Sequence, residues 1–168
     1  MRDRRFVAEH RGGPLAHASH VLLARWAADC AERVLHLFAR CSDDLRPQQA
    51  LDIARAWAGG EVKTGKAMKA SLAAHGAARQ VKDKAAIAAA RAAGHAVATA
   101  HAADHSMGAL LYSMKALEAA GRPSGSELRL RLAKLPKQLR EPLASGIALR
   151  LKKLGIGKST EDRQVFCR

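Results

Sequence analysis

The stretch that decides the fold is Lys82–Gly121, which reads KDKAAIAAARAAGHAVATAHAADHSMGALLYSMKALEAAG. Within it, Ala85–Ala103 carries mostly methyl side chains. Alanine is the strongest helix former because ordering it costs no side-chain entropy, and a smooth helix lets its neighbours approach closely. The stretch predicts a central helix followed by a second helix over Ser106–Ala119. No proline or glycine forces a break at Ala102–His105, so that junction stays open.

The composition supports packed helices. The chain has 168 residues, of which 48% are hydrophobic but only 4% are aromatic. Such a chain can bury an aliphatic, alanine-filled core of one domain, whereas a sheet would favour more valine and aromatic residues. We therefore predict an all-α, single-domain bundle of six to seven helices around an Ala-rich central helix.

The flanking segments complete this prediction. Residues 1–18 are expected to form an irregular N-terminal arm, 19–155 the helical domain, and 156–168 a flexible C-terminal tail. Ser19 can cap an amphipathic helix that runs to about Arg40. Further helices are predicted over Arg46–Ala58 and Glu61–Gln80. Ser124 and Glu127 match a capping box, and Pro142 can begin the last helix.

The charge is strongly positive and uneven. The net charge is +14 and the pI is about 10.6, and residues 122–168 alone carry 12 basic and 4 acidic groups. A basic end attracts nucleic acid, acidic protein surfaces or anionic membranes. It lacks interleaved aromatic residues for base stacking, so a solvated basic face is the favoured interpretation. A nucleic-acid-associated protein is the alternative, and its phosphate contacts would come from Arg129, Arg131, Lys134, Lys137, Arg140, Arg150, Lys152 and Lys153.

The three cysteines, Cys30, Cys41 and Cys167, do not form a disulfide framework. Cys30 and Cys41 lie about 16 Å apart along one predicted helix, which is too far to bridge. They are interpreted as small buried hydrophobic residues in a reducing compartment. The basic N-terminus lacks the apolar run of a secretory leader, and no run reaches transmembrane length. These features predict a cytoplasmic protein without membrane insertion.

The histidines offer a metal hypothesis. His101 and His105 are four residues apart, a spacing that places two imidazoles on one helix face, and His95 and Asp104 are close in sequence. The zinc-protease pattern requires a glutamate directly after the first histidine, where Ala102 stands. Histidines that space alanine-rich helices are therefore favoured over a metal-dependent enzyme that uses His101 and His105.

Other chemical motifs are weaker. Gly155–Ser159 ends like a phosphate-binding loop, but the glycine required upstream is replaced by Lys152 and the segment follows a helix. Nothing places Cys30 or Ser113 beside a base and an orienting carboxylate. On the first helix, Asp29, Glu32 and His36 are expected to be exposed polar positions, and Asp29 could pair inward with Arg55 or Arg91.

Several segments together resemble the bacterial family called putative immunity proteins, named by analogy with the toxin-neutralising proteins of polymorphic toxin systems. These segments cover nearly the whole chain in the same order: RDRRFVAEHRGG (Arg2–Gly13), WAADCAERVL (Trp26–Leu35), ARAWAGGE (Ala54–Glu61), AARAAGHAVATAH (Ala89–His101), GALLYSMKA (Gly108–Ala116) and LPKQLR (Leu135–Arg140).

The resemblance implies an all-helical, non-enzymatic domain without a cofactor that binds and blocks a partner toxin. The expected contact elements are the exposed side of the first helix and the loops that flank the central pair. The net charge implies either that the toxin surface is acidic or that the contact avoids the basic C-terminal third. The oligomeric state stays open. The candidate partner-binding residues are Asp29, Glu32, His36, Arg55, His101, Asp104 and His105.

Overall fold

The computed structural model describes residues 3–154, with side chains described through Leu151. The expected tail, the Gly155–Ser159 motif and Cys167 lie outside the described residues. Within them the chain forms seven α-helices and no strand, which confirms the all-α bundle. These helices are α1 (His17–Ala39), α2 (Arg46–Ala58), α3 (Thr64–Ala78), α4 (Lys84–Ala98), α5 (His105–Ala119), α6 (Gly125–Ala133) and α7 (Lys137–Leu154).

Helix α4 lies at the centre of the bundle, as its composition predicts. Eleven of its 15 residues are buried, nine of them alanines. It packs against α1, α2, α3 and α5. Because the alanine surface is smooth, four neighbours can lie against one short helix. The Asp83 side chain caps its start by accepting a hydrogen bond from the Ala86 amide at 2.7 Å.

The central helix ends earlier than the methyl-rich stretch does. A continuing helix would direct the Ala103 amide to the carbonyl of Thr99. That carbonyl instead accepts a hydrogen bond from His20 Nε2 of α1 at 2.6 Å. The chain tightens into shorter turns, with the amides of Ala100 and His101 bonding to the carbonyls of Val97 and Ala98. The end of α4 therefore coincides with a long-range contact to α1.

Larger apolar side chains surround the alanine helix and fill the core. The largest fully buried ones come from α1, α2, α5 and α7 and include Leu23, Phe38, Leu51, Met107, Leu110, Leu111, Leu143 and Ile147. At the N-terminal end two short 3-10 helices, Arg4–Phe6 and Glu9–Arg11, precede α1. Phe6 and Leu15 join the core from this segment.

Two predicted helix starts are wrong, and a third, that of α6 directly after Ser124, is correct but lacks the predicted capping bond. Helix α1 begins at His17, whose amide donates to Glu9 Oε1 at 3.0 Å, so Ser19 is not its cap. Ser124 Oγ donates to Glu118 Oε1 at 2.7 Å and makes no capping bond to α6. Pro142 lies inside α7, which already begins at Lys137.

Cysteine burial also departs in part from expectation. Cys30 is buried, and burial raises the pKa of its thiol. Cys41 is exposed at the end of α1, so its predicted burial is wrong. Within the described chain, no helix combines the length and the apolar character needed to cross a membrane.

Candidate partner-binding surface

Helices α1 and α2 present a set of exposed charged residues that the sequence singles out. Arg55 of α2 donates to Glu32 Oε2 of α1 at 2.5 Å and to Asp29 Oδ1 at 3.5 Å. The Glu32 and Asp29 side chains are 52% and 58% exposed. Such exposed ion pairs contribute about 0–1 kcal/mol. These carboxylates can therefore exchange one partner for another at little cost.

A groove of about 510 Å³ opens beside this pair, between the end of α1 and the start of α2. Its apolar part includes Leu35 and Phe38, which are buried, and Leu45, which is 65% exposed. Among the described residues, no lysine or arginine lines it. The polar lining residues are Glu32, His36, Ser42, Asp43, Asp44 and Gln48.

Ion pairs hold part of the groove's acidic rim in place. Arg46 forms a two-pronged contact with Asp44, with Nε 2.9 Å and Nη2 2.5 Å from Oδ2. Hydrogen bonding to this guanidinium lowers the pKa of Asp44, so its carboxylate stays ionised well below neutral pH. Asp43, beside it, is exposed and forms no ion pair within the described part of the chain. The groove therefore combines an apolar floor with fixed negative charge.

A second polar group consists of four histidine rings on α3, α4, α5 and the turn before α5. His95 Nδ1 lies 3.2 Å from His105 Nδ1. The ring centroids of His101 and His105 are 4.9 Å apart, and His75 meets the edge of His95 at 5.3 Å. Tyr112 stacks on His95 at 5.0 Å with an interplanar angle of 15°.

Burial governs the chemistry of this cluster. Burial, followed by the proximity of His105 and His75, lowers the pKa of His95 to about 3. His95 is therefore neutral at pH 7. Its ring occupies the space over Gly108, where an added Cβ would lie 2.5 Å from His95 Nδ1. This arrangement agrees with the interpretation of the histidines as spacers between helices.

The metal hypothesis receives no support from the geometry. His101 lies in the turn between α4 and α5, so the premise that His101 and His105 share one helix face is wrong. Within residues 3–151, no group of three or more histidine, cysteine or acidic side chains is placed to hold a metal ion.

The seven candidate residues divide between two regions. Asp29, Glu32, His36 and Arg55 lie on the α1–α2 face, whereas His101, Asp104 and His105 lie at the α4–α5 turn. The α4–α5 turn contacts α1 at His20. Asp29 lies about 14 Å from His20 along the axis of α1. Oδ2 of Asp104 forms an ion pair with Nη2 of Arg150 in α7, at 3.3 Å.

The basic residues of the nucleic-acid alternative do not form one open face. Arg131 is only 6% exposed, and its Nε lies 2.9 Å from Oε2 of buried Glu127, so its charge is enclosed and already paired. Arg140 donates to the carbonyl oxygens of Leu135 and Ala133. Arg129, Lys134 and Lys137 are exposed, and the side chains of Lys152 and Lys153 lie outside the described residues.

Sequence reasoning missed several residues at these sites. His20, His75 and Tyr112 contribute to buried ring contacts, and no local pattern in the sequence distinguishes them from ordinary core residues. The exposure of Leu45 could have been predicted, because this isolated leucine after Asp43 and Asp44 lies outside any helical apolar stripe.

Comparison with known proteins places the chain in a family. No curated protein and no solved structure matches it. The family model described as "Imm-5 like putative immunity protein" matches residues 13–138. This range includes all of α1–α6, the groove and the histidine cluster. The chain belongs to the Imm-5 like putative immunity protein family.

Proposed function

We propose that this protein binds a bacterial toxin and neutralises it by covering the toxin's working surface, without a reaction of its own. The observation that carries the proposal is the family match over residues 13–138, which spans three quarters of the chain. Neutralisation by occlusion needs a rigid surface and no catalytic group. The centrally packed α4 supplies a rigid support for the exposed α1–α2 face.

The α1–α2 face is the proposed main contact. Asp29, Glu32, His36 and Arg55 are at least partly exposed on two helices that pack against each other. Side chains on such helices are better positioned for recognition than side chains on long loops. The group at the α4–α5 turn, His101, Asp104 and His105, is the proposed secondary contact. We place this activity in the cytoplasm of the producing cell, where a toxin must be blocked before export.

Co-expression tests the proposal. The gene is expressed together with each toxin-like gene that neighbours it in the genome, and cell growth is measured with and without induction of the toxin. We expect growth to be restored by one neighbour pair and the two proteins to co-purify in a fixed ratio. Loss of both protection and co-purification across all neighbours would contradict the proposal.

Nucleic-acid association is the competing outcome. It would use the exposed Arg129, Lys134 and Lys137 and would weaken steeply as salt displaces the protein from phosphates. Retention on DNA or RNA is measured at increasing salt for the wild-type chain and for a triple charge-reversal variant at these positions. Tight, salt-sensitive binding that this variant loses, without any protection against a toxin, would favour the alternative.

A further inference from the structure

We propose that the groove between α1 and α2 receives a basic segment of the partner protein, with an apolar side chain of that segment seated against Leu35, Phe38 and Leu45. This inference rests on the proposed function and specifies the chemistry of the partner. It also places the contact away from the basic C-terminal third, which is one of the two alternatives that the net charge leaves open.

Leu45 is the exposed apolar residue of the groove. This residue is 65% exposed and lines the same groove as the buried Leu35 and Phe38, so it adds an exposed apolar side chain to the groove's lining. The groove volume of about 510 Å³ falls within the range of about 300–1,000 Å³ that is typical of ligand sites. An inserted side chain would remove Leu45 from water and pack against the floor.

The rim of the groove is acidic. Residues 41–53 carry three aspartates and one arginine in a chain whose net charge is +14. The carboxylates that line the groove belong to Glu32, Asp43 and Asp44, and within the described residues no cationic lysine or arginine faces them from the lining. Glu32 and Asp44 already have partners in Arg55 and Arg46, whereas Asp43 has no ion pair there.

This local charge selects a cation-bearing partner. A nucleic acid or an acidic protein would meet like charge at the rim, which disfavours their approach. A partner segment that carries lysine or arginine can pair with Asp43 and join the existing pairs of Glu32 and Asp44. Recognition by a few anchors inside a charged rim is typical of protein interfaces.

The variants that test the inference have matched controls elsewhere on the chain. Asp43→Lys reverses the unpaired charge, and Glu141→Lys makes the same type of reversal at an exposed position on α7. Leu45→Ala removes the exposed apolar side chain, and Leu149→Ala removes a leucine that is 70% exposed on α7. Circular dichroism verifies that all four purified full-length variants are folded.

The first readout does not require the toxin. Fluorescence anisotropy measures binding of a labelled amphipathic peptide that carries lysines and arginines around one phenylalanine. We expect Asp43→Lys to weaken binding about tenfold through charge reversal, and Leu45→Ala to weaken it about threefold through lost apolar burial. Peptides with alanine for phenylalanine, or glutamate for the basic residues, should also bind more weakly.

Two results of this readout would overturn the inference. One is the absence of binding by the wild-type chain at millimolar peptide. The other is equal weakening in the control variants, which would show that the peptide responds to net charge and not to the groove.

The second readout is protection of cells against the toxin that the wild-type chain neutralises. Loss of protection in Asp43→Lys and Leu45→Ala, but not in the controls, supports the inference. Equal protection by all four variants would overturn the inference and leave the proposed function intact. If the wild-type chain itself gives no protection, the proposed function is contradicted, and the peptide measurement is then the test of the groove. Sedimentation of the chain alone tests whether a second copy of the chain occupies the groove. A dimer that Asp43→Lys dissociates would also overturn the inference.

Discussion

The ring of His95 occupies the space that a side chain at position 108 would otherwise fill. A Cβ added at Gly108 would lie 2.5 Å from His95 Nδ1 and 2.7 Å from its Cγ, closer than real contacts allow. Both atoms belong to the rigid imidazole ring and not to the end of a flexible side chain. Tyr112 stacks on the same ring. At the residue scale, glycine and histidine are therefore a matched pair across the α4–α5 contact.

We expect Gly108→Ala to lower the free energy of unfolding by about 2 kcal/mol, because the ring must move within a packed contact. The matched control is Gly65→Ala in α3, where an added Cβ meets nothing within 4 Å. That change should raise stability by about 0.5 kcal/mol, because alanine restricts the unfolded chain. Urea denaturation of both variants measures the difference. Equal stability of the two would contradict the packing role of Gly108.

The second residue-scale prediction concerns pH. Burial lowers the pKa of His95 from 6.5 to about 3 in the folded protein, so between these values the unfolded chain binds more protons than the folded one. The contribution of neutral, buried His95 to the free energy of unfolding is therefore complete above pH 6.5 and is lost as the pH falls toward 3. The slope is up to about 1.4 kcal/mol per pH unit. The groups that act on His95 from the surrounding elements are His75, Arg91, His105, Tyr112 and Arg150.

His95→Gln should reduce this slope between pH 6.5 and 4, because glutamine does not titrate. Chemical denaturation at a series of pH values gives the slope for each variant. His36→Gln, at an exposed position on α1, is the control and should retain the wild-type slope. If the His95 variant also retains it, the ring is not held neutral by the fold.

At the level of elements, a buried ion pair within α6 is bonded to two side chains of α1, and these bonds attach α6 to α1. Glu127 and Arg131 of α6 are 7% and 6% exposed, and Nε of Arg131 lies 2.9 Å from Oε2 of Glu127. Arg33 of α1 contacts the second oxygen of Glu127 at 3.0 Å, and Trp26 Nε1 donates to the Arg131 carbonyl at 2.8 Å. A charge pair taken out of water requires such additional bonds to be tolerated.

We expect Glu127→Ala to destabilise the protein by about 3 kcal/mol, because Arg131 would stay buried without its counter-charge. Glu141→Ala, at an exposed position on α7, should change stability by less than about 0.5 kcal/mol. Replacing Glu127 and Arg131 together by leucine should cost less than Glu127→Ala alone, since no uncompensated charge remains. Thermal and urea unfolding measure all three. A larger loss in the double variant would contradict this account.

At the scale of the whole molecule, helices α1–α5 form one mutually packed unit, and α6 and α7 add fewer contacts to it. Helix α4 lies inside this unit, whereas α7 attaches through Leu139, Leu143, Ile147 and Leu151 on one side. Segments with fewer packed neighbours open at lower free energy than the core. The family match ends at residue 138, in the first turn of α7, so it covers this unit and α6.

Hydrogen exchange of the full chain tests this division. We expect amides of α4 and α5 to exchange only through global unfolding, with a free energy equal to that from denaturation. Amides of α7 should exchange through a smaller opening and respond less to denaturant. Equal exchange free energies in α4 and α7 would indicate one cooperative unit instead.

The candidate site was partly predictable. The amphipathic period of α1 placed Asp29, Glu32 and His36 on its exposed side, and the pairing of Asp29 with Arg55 was one of two options that the charges allowed. The groove was not predictable, because it depends on how the end of α1 meets the start of α2 and leaves Leu45 at its edge. Likewise, Arg131 counts as a free cation in any sequence-based total, although Glu127 and the wall of α1 enclose it.

Local sequence was enough to predict which segments are helical, that the alanine-rich one is central, and that the chain is strongly basic. These properties depend on side-chain entropy and on the periodicity of residues only a few positions apart. The end of α4, the burial of particular charges and the acidic groove on a basic protein depend instead on how the helices pack. The contacts at these places join residues far apart in the chain, 79 positions for His20 with Thr99 and 105 for Trp26 with Arg131, and no local pattern encodes such a pairing before the helices have packed.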